Sequence, residues 1–392
     1  MTLAVIASAV RTPIGSYGRS LRDVAPTELG AHAARAALDR AGVPPERVDH
    51  VVFGNVIHTA PEDMYMARVV AMKAAVPKET PAYTVNRLCG TGVQAIVSAV
   101  QAIQVGDAEV ALAGGAESMS RGPYWAPSVR WGARMGETAL VDAVVGVLTD
   151  PFHDVHMGVT AENLAERGAI SRERQDAFAL ESHRRAAAAR AAGRFADQIV
   201  PIEVPARRGA VTVDADEHIR EDVALDALAK LKPAFKPGGT VTAGNASGMN
   251  DAGAAVVLLA PERAEALGTP VKARVLAYAT CGVDPAYMGI GPVPAVRKVL
   301  ERAGVALDDI GVIELNEAFA AQALAVIDEL GLDPEKVNPN GGAIALGHPI
   351  GATGAAITAK CVAEMERAGH RYGLVTLCIG GGQGIALLLG AP

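Results

Sequence analysis

The sequence predicts an α/β protein whose core is built twice, with a mixed sheet covered by helices on both faces and a long insert. Three observations predict it. Leu38-Asp39-Arg40-Ala41-Gly42-Val43 recurs as Leu300-Glu301-Arg302-Ala303-Gly304-Val305. At the same spacing Val48 falls on Ile310 and Gly90-Thr91-Gly92 on Ala352-Thr353-Gly354, and at a slightly larger one Leu112–Gly115 falls on Cys378–Gly381. Several matches in one order indicate a duplication. Secondly, short apolar runs alternate with helix-length periodic stretches, the pattern of an α/β sheet. Thirdly, the stretch between the copies lacks the repeat. At ~100–200 residues per domain, a chain of 392 residues holds two or three such units.

In chain order, Met1 to Val10 reads as a first strand. Ala7-Ser8-Ala9 has the form of a cleavage site, but no basic segment precedes it. Thr27 to Ala41 is an Ala-rich helix with Leu29 and Leu38 on one face, closed by Gly42 and Pro44-Pro45. Val93, Ile96, Val97, Val100 and Ile103 give the stretch from Val93 to Val105 a buried helical face. Val110 to Ala113 and Leu374 to Cys378 read as buried strands. These assignments give an N-terminal half (1–120 plus 251–270), an insert (121–250) and a C-terminal half (271–392). Asp251 to Leu259 returns as the last strand of the first half. The insert holds both Trp residues, the Met157-Gly158 turn, a helix near Arg172 to Ala192, and Arg207, Arg208, Arg220, Lys230, Lys232 and Lys236. Insertions on a rigid α/β core tend to carry specificity.

Half of the residues are apolar and a fifth charged, which excludes disorder. The net charge of −7 argues against a nucleic-acid binder, which needs a basic face. The apolar stretch from Leu88 to Gly106 is broken by Gln94, Gln101 and Gln104, so no membrane span is expected. The four cysteines, Cys89, Cys281, Cys361 and Cys378, form no C-x-x-C pair, so neither a metal site nor a disulfide framework is expected. A reducing cytosol fits best.

Four segments could carry chemistry. Cys89 sits just before a helix, where free N–H groups and the dipole favour thiolate; a small buried Cys is the alternative. The same segment offers Gly90-x-Gly92-x-x-Ala95, a weak dinucleotide fingerprint that would suit an NAD-dependent oxidoreductase. His348 lies in a glycine-rich turn before the equivalent helix of the second copy. If the copies pack about a pseudo-twofold, both helix N-termini face one cavity and a Cys–His pair arises without a local motif. Cys378-Ile379-Gly380-Gly381-Gly382 ends a strand with glycines whose N–H groups could serve an oxyanion, or forms an inert turn. Asn316, in Glu314-Leu315-Asn316-Glu317-Ala318-Phe319, either caps a helix or serves the site.

Together these segments resemble the thiolase family over nearly the whole chain. The Cys89 segment resembles the acyl-enzyme signature. Asn338 to Gly354 resembles the second signature, with its Gly347-His348-Pro349, and Cys378-x-Gly380-Gly381-Gly382-x-Gly384 the third. Asn316-Glu317-Ala318-Phe319 and Thr240 to Gly248 are further landmarks. Among its branches the chain most resembles bacterial acetyl-CoA acetyltransferases and broad-range β-ketothiolases. The resemblance implies two βαβαβαββ halves in a five-layered core, with an inserted loop domain for CoA binding and tetramer contacts. It implies a cytoplasmic homotetramer, a dimer of dimers, that makes or cleaves 3-ketoacyl-CoA by a ping-pong Claisen mechanism. Acyl-CoA and CoA are the partners, with no metal, redox cofactor, nucleic acid or membrane. A degradative 3-ketoacyl-CoA thiolase preferring longer chains is the nearest alternative.

By the same resemblance Cys89 takes the acyl group, and His348 accepts its proton and later binds a thioester oxygen. Cys378 is the acid/base toward the second substrate or leaving CoA. Asn316 holds a water that forms one oxyanion hole with His348; the N–H groups of Cys89 and Gly380 form the other. Arg220 would meet the nucleotide end of CoA and Ser247 the pantetheine. Leu148, His156, Met157, Leu231, Phe235, Ala243, Ala318 and Phe319 would line the channel, with Met288 beside the acetyl group. The chain departs from close relatives in having no Ser between Arg220 and Leu231, where Asp226 and Ala227 stand. Arg207, Arg208 and Lys236 read as a solvated charged face. Two thiols suit the chemistry, because a thiol of pKa ~8.5 exchanges protons near neutrality far better than a hydroxyl.

Overall fold

The computed structural model describes residues 2–206 and 209–392. The first half runs β1 (Ala4–Arg11), α1 (Pro26–Ala41), β2 (His50–Gly54), α2 (Met66–Lys73), β3 (Ala82–Val85), α3 (Thr91–Val105) and β4 (Val110–Ser118). The insert follows, with its main helices α4 (Met157–Arg167) and α5 (Arg172–Ala191). Then β5 (Asn250–Leu259) enters between β1 and β4, antiparallel to both. The second half runs β6 (Ala273–Gly282), α6 (Pro292–Ala303), β7 (Val312–Leu315), α7 (Ala320–Leu330), α8 (Ile350–Ala368), β8 (Tyr372–Ile379) and β9 (Gln383–Gly390).

The repeated hexapeptide is the end of a helix. Gly42 closes α1 at φ 64° and Gly304 closes α6 at φ 64°, a left-handed conformation that favours glycine. The valine after each glycine returns its N–H to the leucine of the motif, Val43 to Leu38 at 3.1 Å and Val305 to Leu300 at 3.2 Å. One sequence therefore stops one helix and turns the chain toward the next strand, once per half.

The second match is corrected by the strand register. Leu112 to Gly115 lie inside the nine-residue strand β4, whereas Cys378 to Gly381 run off the end of β8 into a turn. The strands themselves start at Val110 and Tyr372, which keeps the spacing of the hexapeptide. β4 outruns the expected Val110–Ala113 because Gly114 and Gly115 continue it. A Cβ on Gly115 would lie 2.1 Å from the carbonyl oxygen of Gly351, so the strand can touch the start of α8 only through a glycine.

The sheet order is β7-β8-β9-β6-β1-β5-β4-β2-β3; the four strands from β6 out to β7 answer the four from β1 out to β2, and a parallel bridge between Ile313 and Val337 stands beyond β7 where β3 stands in the first half. Pairs β2–β3, β2–β4 and β7–β8 are parallel and the others antiparallel, which makes the sheet mixed. Three clusters stack it into five layers. In one, α1 and α2 cover the outer face of the first half through Leu29, Leu38, Met66 and Val70. In another, α6 and α7 cover the second half through Val296, Val299, Val326 and Ile327. Between the half-sheets, α3 and α8 share a core containing Ile96, Val100, Val362 and Met365. The stretch Leu88–Val105, apolar enough by length and composition to cross a membrane, includes this core helix α3.

Candidate functional site

The helices α3 and α8 approach at two glycines. A Cβ on Gly92 would lie 2.4 Å from the amide nitrogen of Ala355, and one on Gly354 would lie 2.3 Å from that of Val93. No other residue allows this approach, which brings both N-termini to one place. Cys89 precedes α3 in a short 3-10 turn, Leu88–Gly90. Leu88 is left-handed at φ 46°, a strained conformation for a leucine, and Asn86 Oδ1 accepts its N–H at 2.9 Å. Thr91 Oγ1 accepts the N–H of Arg87 at 2.8 Å. Cys89 packs on the cluster that holds Ile350, two residues beyond His348.

His348 is buried before α8. Its N–H donates to Asn250 Oδ1 at 2.9 Å, its Nδ1 lies 2.7 Å from Thr353 Oγ1, and its buried Nε2 has no partner among the described residues. Cys378 is fully buried at the end of β8. After it the chain turns through Gly381 and Gly382 at φ 79° and 83°, and the N–H of Gly380 is aimed at the Cys89 sulfur, where it favours the charged form. Asn316 follows β7, its N–H on Thr376 O at 3.0 Å, and neither polar atom of its buried carboxamide has a partner among the described residues. It does not cap α7, which starts at Ala320 with Phe319 at the cap position. Buried polar groups are ordinarily paired, so the unpaired atoms of His348 and Asn316 mark places where a water or ligand belongs.

Burial overturns one expectation. It pushes the Cys89 thiol up to about 11, against the opposing N–H bonds from Gly380 and from its own backbone. The Cys378 thiol is raised further, by burial and then by Cys89. Burial also lowers His348 to about 4. The resting site therefore holds two thiols and a neutral imidazole, not a thiolate favoured by the helix end.

The channel residues fall in two groups. Met157, Met288, Ala318, Phe319 and Cys378 share one apolar cluster, with Phe235 against it. Phe235 stacks on His156 at 4.6 Å and meets Phe319 edge-on at 5.9 Å. The expected Met157-Gly158 turn is instead the start of α4, and a Cβ on Gly158 would lie 2.2 Å from the Phe235 ring, so only glycine fits there. Leu148 packs against the same apolar cluster as Cys89, and its carbonyl accepts the N–H of Met157 at 2.7 Å. Ser247 donates its N–H to Ala318 O at 3.0 Å, tying the insert to the Asn316 segment. Leu231 and Ala243 are exposed on either side of Gly244, where Leu231 would touch a Cβ. Arg220 lies outside the Cys378 cluster; it is exposed, in a cleft with Tyr17, Arg19, His218 and Met249. Asp226 is exposed, Lys236 pairs with Glu166, and Arg207 and Arg208 lie outside the described residues.

The glycines of the dinucleotide fingerprint are filled by protein. A Cβ on Gly90 would lie 2.5 Å from the Ile379 side chain, and Gly92 meets α8. That leaves no room for a pyrophosphate. Sequence reasoning missed Glu117. It is fully buried, its carboxyl pushed up to about 8 by burial, and it accepts from Asn55 Nδ2, Val56 N, Ile57 N and Gly351 N at 2.8–3.2 Å. An acidic residue ending the apolar run from Val110 was the available signal.

The chain matches the thiolase N-terminal domain over residues 4–263 and the thiolase C-terminal domain over residues 269–391. It is 61% identical to the β-ketothiolase BktB of Cupriavidus necator over 98% of both chains. It is 51% identical to an acetyl-CoA acetyltransferase of Chromobacterium violaceum over 100% of both. Among solved structures, human mitochondrial 3-ketoacyl-CoA thiolase superposes with a TM-score of 0.98 at 47% identity, covering 100% of each chain. A structure of that enzyme in complex with CoA gives 0.97 at 47% identity, covering 100% of this chain and 99% of the other.

Proposed function

The chain belongs to the thiolase family, and on that premise we propose how it works as an acyl-CoA C-acyltransferase of the acetyl-CoA acetyltransferase and β-ketothiolase type. The observation that supports the mechanism is the meeting of Cys89, Cys378 and the Gly380 N–H where α3 and α8 approach, with an unpartnered imidazole nitrogen just before α8 and an unpartnered carboxamide after β7 among the described residues.

In the first half-reaction the Cys89 sulfur attacks the thioester carbonyl while its proton passes to His348 Nε2. The N–H groups of Cys89 and Gly380 hold the oxyanion. CoA leaves with the Cys378 proton, so the acyl-enzyme faces a thiolate and an imidazolium. In the second half-reaction Cys378 removes the α-proton of acetyl-CoA. His348 and a water on Asn316 hold the enolate oxygen. The enolate carbon attacks the acyl carbonyl, and Cys89 leaves and recovers its proton from His348. The residues return to their starting states, and the reverse sequence is thiolysis. Hydrogen-bond donors suffice to stabilise both oxyanions, so we assign no metal or redox cofactor; one such donor is worth about 10²–10³ in rate.

The channel would run from Arg220 at the nucleotide end, past Leu231, Ala243, Ser247, Phe235 and His156, to Met157, Leu148, Ala318 and Phe319. Met288 would meet the acyl group, bounding the chain lengths accepted. The relatives' names favour the acetyltransferase and β-ketothiolase reading over a long-chain degradative one. We also propose a cytosolic homotetramer. In the insert, the loop between the antiparallel pair Tyr124–Trp125 and Val141–Asp142, a hairpin, exposes Trp131 at 90% and Met135 at 97%, an apolar surface suited to other copies of the chain.

The test is labelled acetyl-CoA with two variants. Cys89→Ala should form no acyl-enzyme, and stoichiometric labelling of it would refute the assignment. Cys378→Ala should acylate but barely condense; normal condensation would remove Cys378 as the base.

A further inference from the structure

The duplication puts a threonine in the first turn of each facing helix, Thr91 in α3 and Thr353 in α8. The two hydroxyls have different work. Thr91 Oγ1 accepts a backbone N–H from the Cys89 segment. Thr353 Oγ1 donates to the carbonyl of Pro349 at 2.8 Å and lies 2.7 Å from His348 Nδ1. A hydroxyl has one proton. With that proton on Pro349, the oxygen can only accept, so the hydrogen between Thr353 and His348 belongs to Nδ1. A neutral imidazole with Nδ1–H has a bare lone pair on Nε2. Nε2 is the buried atom that has no partner.

Resting on the acyltransferase reading, we propose that Thr353 is a positioning residue that fixes the tautomer and aim of His348, so that Nε2 is the acceptor for the Cys89 proton. Histidine bases are often oriented by a carboxylate, which also stabilises the imidazolium. Here the partner is neutral. The nearby buried carboxylate, Glu117, is bound to the backbone of residues 56, 57 and 351 and to Asn55 rather than to the ring. The hydroxyl thus orients the imidazole and leaves it free to give its proton back, as the second half-reaction requires.

The test compares Thr353→Val, which keeps the shape and removes the acceptor, with Thr353→Ser, which restores it. Nitrogen-15 NMR of histidine-labelled protein should show Nδ1 protonated and Nε2 bare in the wild type and in Thr353→Ser. Thr353→Val should show a mixed or inverted pattern. Single-turnover acylation by acetyl-CoA should fall about 10- to 100-fold in Thr353→Val, with half-saturation unchanged, and recover in Thr353→Ser. If the valine variant does not fold, Thr353→Ala carries the same expectation. A valine or alanine variant that keeps the wild-type tautomer and rate overturns the proposal, as does a serine variant as slow as valine. Wild-type protein that forms no acyl-enzyme would instead strike the acyltransferase reading, while the tautomer measurement would still decide the role of Thr353.

Discussion

At the scale of single residues, the site is governed by burial. With His348 lowered and Cys89 raised, the proposed attack moves a proton between two neutral groups. Protonating the imidazole removes the acceptor, and its pKa is held down to about 4. Acylation should therefore persist as pH falls through 6 and 5 and fail only near 4, about two units below an ordinary histidine limb. Single-turnover acylation at stepped pH checks this; an acid limb near 6.5 would contradict it. The thiols and the histidine were legible because reactive residue types beside glycines are rare enough to notice. Their protonation states were not. The helix N-terminus before Val93 was visible in sequence, but the depth of burial that outweighs it is a property of the assembled layers. Asn316 shows the same limit, since only the observed start of α7 at Ala320 separates a cap from a free carboxamide.

At the scale of elements, the approach of α3 and α8 decides whether the site exists. Gly92→Ala should force the helices apart, because its Cβ would meet backbone rather than a flexible side chain. Overpacking of this kind costs about 1–3 kcal/mol, and activity should fall more than stability. Urea unfolding and acylation measured on one preparation separate the two effects. Glu117 is the complementary fixture, tying the loop after β2 to the first turn of α8. Glu117→Leu would orphan up to four buried donors at about 1–3 kcal/mol each. Loss of several kcal/mol in the same unfolding assay is expected; an unchanged midpoint would remove that role. The hexapeptide was readable because a left-handed glycine and a returning valine are local. The 112–115 match misled because glycines inside a strand and glycines in a turn look alike in one dimension, and only strand register distinguishes them.

At the scale of the whole molecule, the insert's apolar hairpin predicts assembly. If the proposed tetramer forms, replacing Trp131 and Met135 together by serine should reduce it to a smaller species in light scattering, with acyl-enzyme formation retained. A tetramer of unchanged mass would dissociate the hairpin from assembly. The duplication was legible from the repeat, whereas the five layers followed from the family resemblance, because the facing of α3 and α8 at Gly92 and Gly354 is set by packing. The course of the CoA channel was much less legible, because Phe235, Phe319 and Met288 come from distant segments and meet only through packing. The matching of four strands on each side of the β6–β1 junction carries a last consequence. Two identical subunits meeting on such an axis would have to present the same groups twice, thiol to thiol or imidazole to imidazole. Linking both copies within one polypeptide releases that constraint, so each could diverge on its own side until a donor of a proton stood opposite its acceptor.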